Sequence, residues 1–382
     1  MTPPRMPRFL DIHILQTLPY NNVNRDDLGS PKTMTFGGTT RTRVSSQAWK
    51  RPTRQAVEEV LGEEAVRTRR LPQQVASALM TEQRGWPQEL AELAGAQVIR
   101  SAETKLALEK GDRATTSLLF LPDSAVAALA HLAEAHRPAL EKALGNKAAS
   151  AKAILPKEAV HEVLRSRNGS IALFGRMLAE IPGAGVDGAV QVAHAFTTHE
   201  TSVQADFFTA VDDADEWATD AGSAHMNTGE FSSGVFYRYA TLDLNALTGN
   251  ITDTDTARIL AQEFVSAFIH SLPGAKKTST APHTVPDLVH LTVRSDRPLS
   301  LAAAFEKPVR AREAGWGTVS RTALADYAER VGKLLGTTGL LYTGHAAVDD
   351  EKRNGLGRRV DSYPALIDQA IAAAWRRNGT AA

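Results

Sequence analysis

One long helix-rich stretch interrupts a series of strand-like segments, and it constrains the fold more than any other feature. Residues 54–167 consist mostly of Ala, Leu, Glu, Arg and Lys and contain few β-branched runs, which indicates helices. Residues 9–17 and 232–246 alternate well enough between apolar and polar side chains to predict strands on either side. The sequence therefore predicts a sheet that carries a helical subdomain as an insertion.

The other segments complete an alternating order of strands and helices. With the insertions left out, the order is strand, helix, strand, helix, strand, helix, strand, which is compatible with a split βαβ sheet of ferredoxin or RNA-recognition type. The predicted fold class is α+β. The remaining elements are helices from Ser45 or Ser46 to about Leu61, at 187–197, 254–271, 320–335 and 364–377, and strands at 170–178 and 287–294.

Charge is distributed unevenly along a chain that has 43 basic and 43 acidic residues. Residues 1–54 contain nine Lys or Arg and three Asp, whereas residues 200–230 contain eight acidic residues and no Lys or Arg. This separation predicts two faces of opposite charge. The balanced total argues against a protein that coats nucleic acid over its whole surface.

The basic segment from Asn24 to Arg54 combines glycines, cations, hydroxyls, an amide and an indole. Cations bind phosphates, hydroxyl and amide groups donate to phosphate oxygens, and glycine permits close approach of the backbone. We expect Trp49 to pack the helix and Pro52 to lie in its first turn. The candidate phosphate-binding residues are Asn24, Arg25, Arg41, Arg43, Ser46, Gln47, Lys50, Arg51 and Arg54.

The absence of cysteine excludes disulfides, thiolate metal ligands and cysteine nucleophiles. It also fits a reducing compartment. No uncharged apolar run reaches the length needed to span a bilayer, and the N-terminal segment lacks the apolar core of a signal peptide. These features predict a cytoplasmic protein with no membrane partner.

Three motifs resemble enzyme sites, and each has a simpler structural explanation. Gly183 to Gly188 matches G-x-G-x-x-G, but we expect a glycine-rich turn before a helix rather than a nucleotide site. His131 and His136 are five residues apart and do not share a helix face. Asp26 and Asp27 can bind magnesium, although adjacent acids in a turn are more often turn formers. We therefore expect no catalytic residue, no metal and no cofactor.

The basic segment resembles the CasC family, the backbone subunits of the type I-E CRISPR surveillance complex called Cascade. The resemblance rests on motifs that recur in the family's order between about residues 9 and 310, whereas 55–165 and the C-terminal 70 residues contribute little. The motifs are Asn24–Asp27, Phe36–Gly38, Arg41–Arg51, 171–177, 193–200, 206–213, 222–225, 230–239, 273–276, 298–300 and 304–307.

The resemblance implies a hand-like architecture. A modified RNA-recognition, ferredoxin-like palm would be formed by residues 1–54, 168–199 and 231–382. Residues 55–167 would form helical fingers, and residues 200–230 an extended thumb loop.

The resemblance also implies a function. Copies of such a subunit stack head to tail along the guide crRNA beside other Cascade subunits. The thumb of one copy folds over RNA held by its neighbour, and the guide is kinked at regular intervals for pairing with target DNA. We expect a non-catalytic subunit. The alternative is a metal-dependent ribonuclease that uses Asp26 or Asp27, because related backbone subunits of other CRISPR types cut RNA. A nucleotide-dependent oxidoreductase would require a cofactor at Gly183 to Gly188.

Further contacts follow from the same resemblance. Arg176 and Met177 belong to a matched motif, and Met177 offers an apolar surface for a splayed base. Phe207 and Phe208 are expected to form an apolar wedge rather than core, because their flanks are acidic and rich in Thr. Lys276, in a Gly/Thr-rich loop, is expected to contact RNA or the next subunit. We expect the acidic segment 200–230 to meet the basic face of a neighbouring copy.

Overall fold

The structure is a computed structural model that describes residues 9–210, 225–251, 253–311, 313 and 315–376. Arg5, Arg8 and residues 211–224 of the acidic segment, which include Asp212 and Asp213, lie outside the described residues. The strands are β1 Phe9–Asn21, β2 Thr33–Phe36, β3 Thr39–Val44, β4 Ala65–Thr68, β5 Leu119–Pro122, β6 Val190–Val192, β7 Ala195–Thr197, β8 Gln204–Ala210, β9 His225–Asp243, β10 Leu288–Arg294, β11 Leu340–Ala347 and β12 Arg358–Arg359.

The α-helices account for much of the remaining described chain. No helix in these ranges is long and apolar enough to cross a membrane. The helices are α1 Ser46–Leu61, α2 Leu71–Leu79, α3 Gln88–Arg100, α4 Ser124–Ala135, α5 Arg137–Ala143, α6 Lys147–Ser150, α7 Lys157–Arg165, α8 Gly169–Phe174, α9 Leu244–Asn250, α10 Thr254–His270, α11 Lys277–Thr280, α12 Gly315–Leu335 and α13 Tyr363–Ala374.

The chain divides into two compact units. The sheet unit contains, of the described residues, 9–56, 190–210, 225–245 and 254–376, apart from 312 and 314. The helical unit contains 57–189 together with 246–251 and 253. The helices predicted between 54 and 167 are present as α2 to α7, and most of their apolar side chains pack into one core.

The sheet unit is built on a mostly antiparallel sheet in the order β12-β11-β10-β1-β9-β7-β3-β2, with β6 and β8 also paired to β9. Strand β1 pairs antiparallel with β9 on one side and β10 on the other, whereas β11 and β12 are parallel. Leu10, Ile12 and Ile14 of β1 are completely buried. The strand predicted at 9–17 is therefore confirmed as β1, and it is a central strand because it has a strand on each side and is buried through most of its length.

A row of buried aromatic and imidazole side chains crosses this sheet. His13 lies opposite Tyr239 on β9 and opposite His290 on β10, and His290 lies opposite His345 on β11. The His13 ring stacks on Tyr239 with the centroids 5.1 Å apart and on His290 with the centroids 5.3 Å apart. Burial lowers the pKa of His290 to about 4 and that of His13 well below its ordinary value. The row is therefore held in the neutral form.

Two predictions of secondary structure are wrong. Residues 170–178 were expected to form a strand, but 169–174 form α8, which begins where the Asn168 side chain accepts the Ile171 N–H. The helix ends at Gly175, whose φ is +79°. A helix was expected at 187–197, but β6 and β7 are found there, because both segments pair with β9. Tertiary pairing outweighs helix propensity in this segment.

The strand predicted at 232–246 begins earlier than expected. Strand β9 starts at His225, and its first part pairs with β8 from Gln204↔Phe231 to Ala210↔His225. These two segments form an antiparallel pair beyond the part of β9 that pairs with β1 and β7.

Candidate nucleic-acid interface

Helix α1 carries the largest group of predicted phosphate-binding residues. Its start is fixed by Ser45, whose carbonyl oxygen accepts the Ala48 N–H at 3.0 Å. Pro52 lies inside the helix and not in its first turn as expected. The proline removes one backbone donor, and the Thr53 hydroxyl donates to the Trp49 carbonyl at 2.9 Å in the same turn.

Trp49 anchors α1 to the sheet unit. Its indole is completely buried and lies beneath the guanidinium of Arg238 on β9, 3.7 Å from the ring centroid. Arg238 donates to the Gln16 side-chain oxygen at 2.6 Å and to the Phe268 carbonyl, and burial lowers its pKa to about 9. The prediction that Trp49 packs the helix is confirmed. Arg238 was not singled out from the sequence.

The polar residues of α1 lie on another side of the helix from Trp49. Gln47 and Arg51 are exposed, and Ser46, Lys50 and Arg54 are partly exposed. Residues three or four apart share a helix face, so Gln47, Lys50, Arg51 and Arg54 form one stripe along α1. We call this stripe the basic face of α1.

The loop before β2 is tied to the start of α1. The side-chain oxygen of Asn24 accepts the Ser45 N–H at 2.8 Å. The Arg25 side chain is exposed, and the backbone of Arg25 forms an isolated antiparallel β-bridge with Pro31. The Asp26 carboxylate accepts the backbone N–H groups of Leu28 and Ser30 at 3.0 and 2.9 Å. Asp26 thus acts as a turn former in this structure.

Arg41 occupies a different environment from the one that a phosphate contact requires. Its side chain is 0% exposed and donates to the Thr197 carbonyl at 2.8 Å and to the Phe305 carbonyl at 3.0 Å. A third bond joins its Nε to the Thr39 hydroxyl at 3.0 Å. Because these donors are used inside the protein, the burial of Arg41 argues against the expected phosphate contact.

Arg43 lies two residues further along β3 and is partly exposed. One of its guanidinium nitrogens donates to Nδ1 of His194 at 2.9 Å. The backbone N–H of Arg43 donates to the Lys32 carbonyl at 2.7 Å. The Arg43 side chain can therefore reach a ligand at the surface, whereas the buried Arg41 side chain cannot.

Arg176 and Met177 of the helical unit have opposite environments. Arg176 is 4% exposed and donates to the carbonyl oxygens of Ala184 and Ser166, both at 2.8 Å. Burial and the charge of Arg167 lower its pKa to about 10. These contacts argue against an RNA contact by Arg176. Met177 is 93% exposed.

Phe207 and Phe208 lie on β8 opposite Thr228 and Asn227 of β9. Their side chains are 63% and 44% exposed, so neither is core, as expected. Successive residues of a strand point to opposite faces, so the hairpin presents one phenyl ring on each side.

Lys276 is exposed at the start of the short helix α11. Its φ is +51°, and its carbonyl oxygen accepts the Thr280 hydroxyl at 2.8 Å. The loop thus holds the backbone of Lys276 and leaves its side chain at the surface.

The segment from Gly183 to Gly188 does not have the strand–turn–helix context of a dinucleotide site. Helix α8 and an extended loop precede it, and strand β6 follows it. A Cβ on Gly188 would lie 2.7 Å from the Gly175 nitrogen, so Gly188 is needed for close packing of two backbone segments. No group of three or more His, Cys, Asp or Glu side chains suited to a metal ion occurs in the described part of the chain.

Comparison with known proteins identifies the class. A family model described as CT1975-like protein matches residues 10–369. One solved structure, titled "CRISPR RNA-guided surveillance complex, pre-nicking", has a subunit that is 48% identical with a TM-score of 0.90, and the match covers 96% of this chain and 100% of that subunit. A second, titled "CRISPR RNA-guided surveillance complex", is 42% identical with a TM-score of 0.79, covering 96% and 99%.

The fold and these matches define a subunit related to CRISPR surveillance complexes. The chain belongs to the CT1975-like protein family, and its resemblance to the CasC-type subunits is confirmed. A search of curated proteins found no match.

Proposed function

We propose that this chain is a non-catalytic backbone subunit of a type I-E CRISPR surveillance complex and binds the sugar-phosphate backbone of a guide crRNA. The basic face of α1 carries this proposal. Trp49 is buried beneath Arg238 while Gln47 and Arg51 are exposed on the same helix. A cationic surface on a fixed helix suits binding that does not depend on base sequence.

The proposed contacts differ from the sequence-based set because of burial. Arg41 and Arg176 are left out, since their guanidinium groups donate to protein carbonyls. The residues proposed to bind the guide are Asn24, Arg25, Arg43, Ser46, Gln47, Lys50, Arg51, Arg54, Met177, Phe207, Phe208 and Lys276.

The sheet supports the palm assignment. The order β10-β1-β9-β7 with antiparallel neighbours corresponds to the order of a ferredoxin-like sheet. We propose that this sheet is the palm, that residues 55–167 are the fingers, and that 200–230 form the thumb. The exposed phenyl rings of the β8–β9 hairpin support a thumb that contacts splayed bases.

We further propose that several copies assemble head to tail along the guide, together with other Cascade subunits. The acidic thumb of one copy would meet the basic surface of the next and fix the register between them. Target DNA would then be recognised by base pairing with the guide and not by this chain.

A cleavage assay tests the non-catalytic role. Assembled complex is incubated with RNA complementary to the guide and magnesium, and the RNA is expected to remain intact. Cleavage at regular intervals that is abolished by Asp27→Ala would instead establish a ribonuclease. Cleavage that persists in the Asp27→Ala variant and also in an Asp26→Ala variant would point to a contaminating nuclease.

A further inference from the structure

Three basic residues lie close together at the edge of the sheet unit formed by β2, β3 and β7. Arg43 on β3 donates to Nδ1 of His194, which immediately precedes β7. Lys32 immediately precedes β2, and its carbonyl oxygen accepts the Arg43 N–H. His194 is exposed, and Lys32 and Arg43 are partly exposed. We call Lys32, Arg43 and His194 the cationic cluster.

The Arg43–His194 hydrogen bond determines the protonation state of the imidazole. A guanidinium group has only donors, so Nδ1 must be the acceptor and the neutral ring carries its proton on Nε2. Partial burial, the charge of Arg43 and the charge of Lys32, in that order, lower the pKa of His194. His194 is therefore neutral at pH 7.

The cluster is not compensated by an acid within the described chain. Neither Lys32 nor Arg43 forms an ion pair with a carboxylate in the residues that the structure describes. The charged groups that act on His194 are both cations. An anion is the kind of ligand that this arrangement would bind, since it would offset the positive charges of Lys32 and Arg43.

We propose that Lys32, Arg43 and His194 bind one phosphate of the guide RNA and that His194 takes up one proton from solvent when the phosphate binds. This inference rests on the proposed function. The Arg43–His194 hydrogen bond breaks on protonation, because both nitrogens are then donors. Phosphate oxygens replace it by accepting from the Arg43 guanidinium and from Nδ1–H of His194, and both new bonds are charge-assisted.

Proton uptake makes the affinity for RNA depend on pH. The pKa of His194 is depressed in the free protein and raised by the phosphate in the complex, so the complex binds more protons than the free protein. Affinity therefore rises as pH falls through the pKa of the complex and levels off below the pKa of the free protein. One such site changes the affinity by at most about tenfold per pH unit.

The test uses the purified full chain and a fluorescent oligouridylate, whose bases do not titrate between pH 6 and 8. Dissociation constants are measured across this range at constant ionic strength, because salt alone changes the affinity. The affinity of the unaltered chain is expected to rise by about three- to tenfold from pH 8 to pH 6. His194→Gln should bind more weakly than the unaltered chain at pH 6 and show no rise. His131→Gln, in the helical unit, should behave like the unaltered chain.

The outcomes separate this inference from the proposed function. Binding of equal affinity at every pH, or an unchanged rise in His194→Gln, would overturn the proton-linked cluster while leaving RNA binding intact. Failure of the unaltered chain to bind RNA at any pH would overturn the proposed function, and this inference with it.

Discussion

The backbone of Gly37 lies against the carbonyl oxygen of Glu306 so closely that a Cβ on Gly37 would be 1.6 Å from that oxygen. Arg41 donates to the neighbouring Phe305 carbonyl at 3.0 Å. The turn between β2 and β3 is therefore packed against the segment that precedes α12. The glycines were expected to let the backbone approach a phosphate. Gly37 instead lets the backbone approach the Glu306 carbonyl, and this contact holds β3, the strand that carries Arg43, in place.

Gly37→Ala should destabilise the chain strongly. The φ of Gly37 is +59°, so alanine adds backbone strain to the clash with Glu306. We expect the free energy of unfolding to fall by about 3 kcal/mol or more, measured by chemical denaturation. Gly38→Ala is the matched control: its φ is +77° with no atom near the added Cβ, so its loss should be about 1 kcal/mol. Equal losses in the two variants would refute the contact.

Lys50→Ala combined with Arg54→Ala should weaken RNA binding and its salt dependence together. Each lost phosphate contact on a single strand reduces the slope of log affinity against log salt by about 0.7, so the double variant should lose about 1.4. The control removes one Arg and one Lys elsewhere in the sheet unit, at the exposed positions Arg330 and Lys352. If the control lowers the slope as much, net charge rather than the basic face of α1 determines binding.

Phe207→Ala combined with Phe208→Ala should leave the chain folded and loosen its assembly on RNA. Both side chains are exposed, Phe207 by 63% and Phe208 by 44%, so the free energy of unfolding should change by no more than about 0.5 kcal/mol for each substitution. Loss of base stacking should cost about 1–3 kcal/mol for each contact, seen as smaller RNA-templated assemblies in sedimentation experiments. Leu334→Ala, another exposed apolar position, should assemble normally. Global unfolding of the double variant would show that the rings are core.

The buried imidazole row should make the fold sensitive to acid. The pKa of His290 is about 4 in the folded chain and near 6.5 when unfolded, so its neutral form is favoured by folding. This contribution is complete above pH 6.5 and is lost as pH falls toward 4, a change of about 3 kcal/mol. His290→Gln should therefore lose less stability than the unaltered chain between pH 7 and pH 4 in denaturation experiments.

The buried carboxyl group of Asp11 changes stability with pH in the direction opposite to His290. Burial raises the pKa of Asp11 to about 6, so its contribution to stability increases as pH falls from 6. Asp11 is present in both proteins, and its effect cancels when their pH profiles are compared. His131→Gln, at an exposed position, should keep the profile of the unaltered chain. Identical profiles for His290→Gln and the unaltered chain would show that His290 does not cause the loss of stability in acid.

The sequence predicted the elements whose patterns are long or have clear boundaries. Strand β1 and helices α1 and α10 lie close to the predicted positions, because alternation and helix starts are local signals. The apolar run at 169–174 is too short for periodicity to separate a buried helix from a strand. The strands at 190–197 depend on pairing with β9, which is far along the chain.

Burial of cations could not be read from charge alone. Arg41 and Arg43 are two residues apart in a basic segment. The Arg41 side chain is buried and donates to backbone carbonyls, whereas the Arg43 side chain lies at the surface beside His194. The signal that could have revealed Arg238 is its position between Tyr237 and Tyr239, since a cation inside a central strand must be buried and paired. The start of α1, the buried Trp49 and the exposed Phe pair depended on local pattern and were predicted correctly.

The most direct test of RNA binding is the nucleic-acid content of the purified protein. The chain is expressed with its partner subunits and a guide, purified, and examined for its absorbance ratio at 260 and 280 nm and for the length of extracted RNA. If the chain binds a guide RNA, the ratio should be high and the extracted RNA should be of one uniform length. An assembled complex with the absorbance ratio of protein alone, or with no extractable RNA, would contradict it.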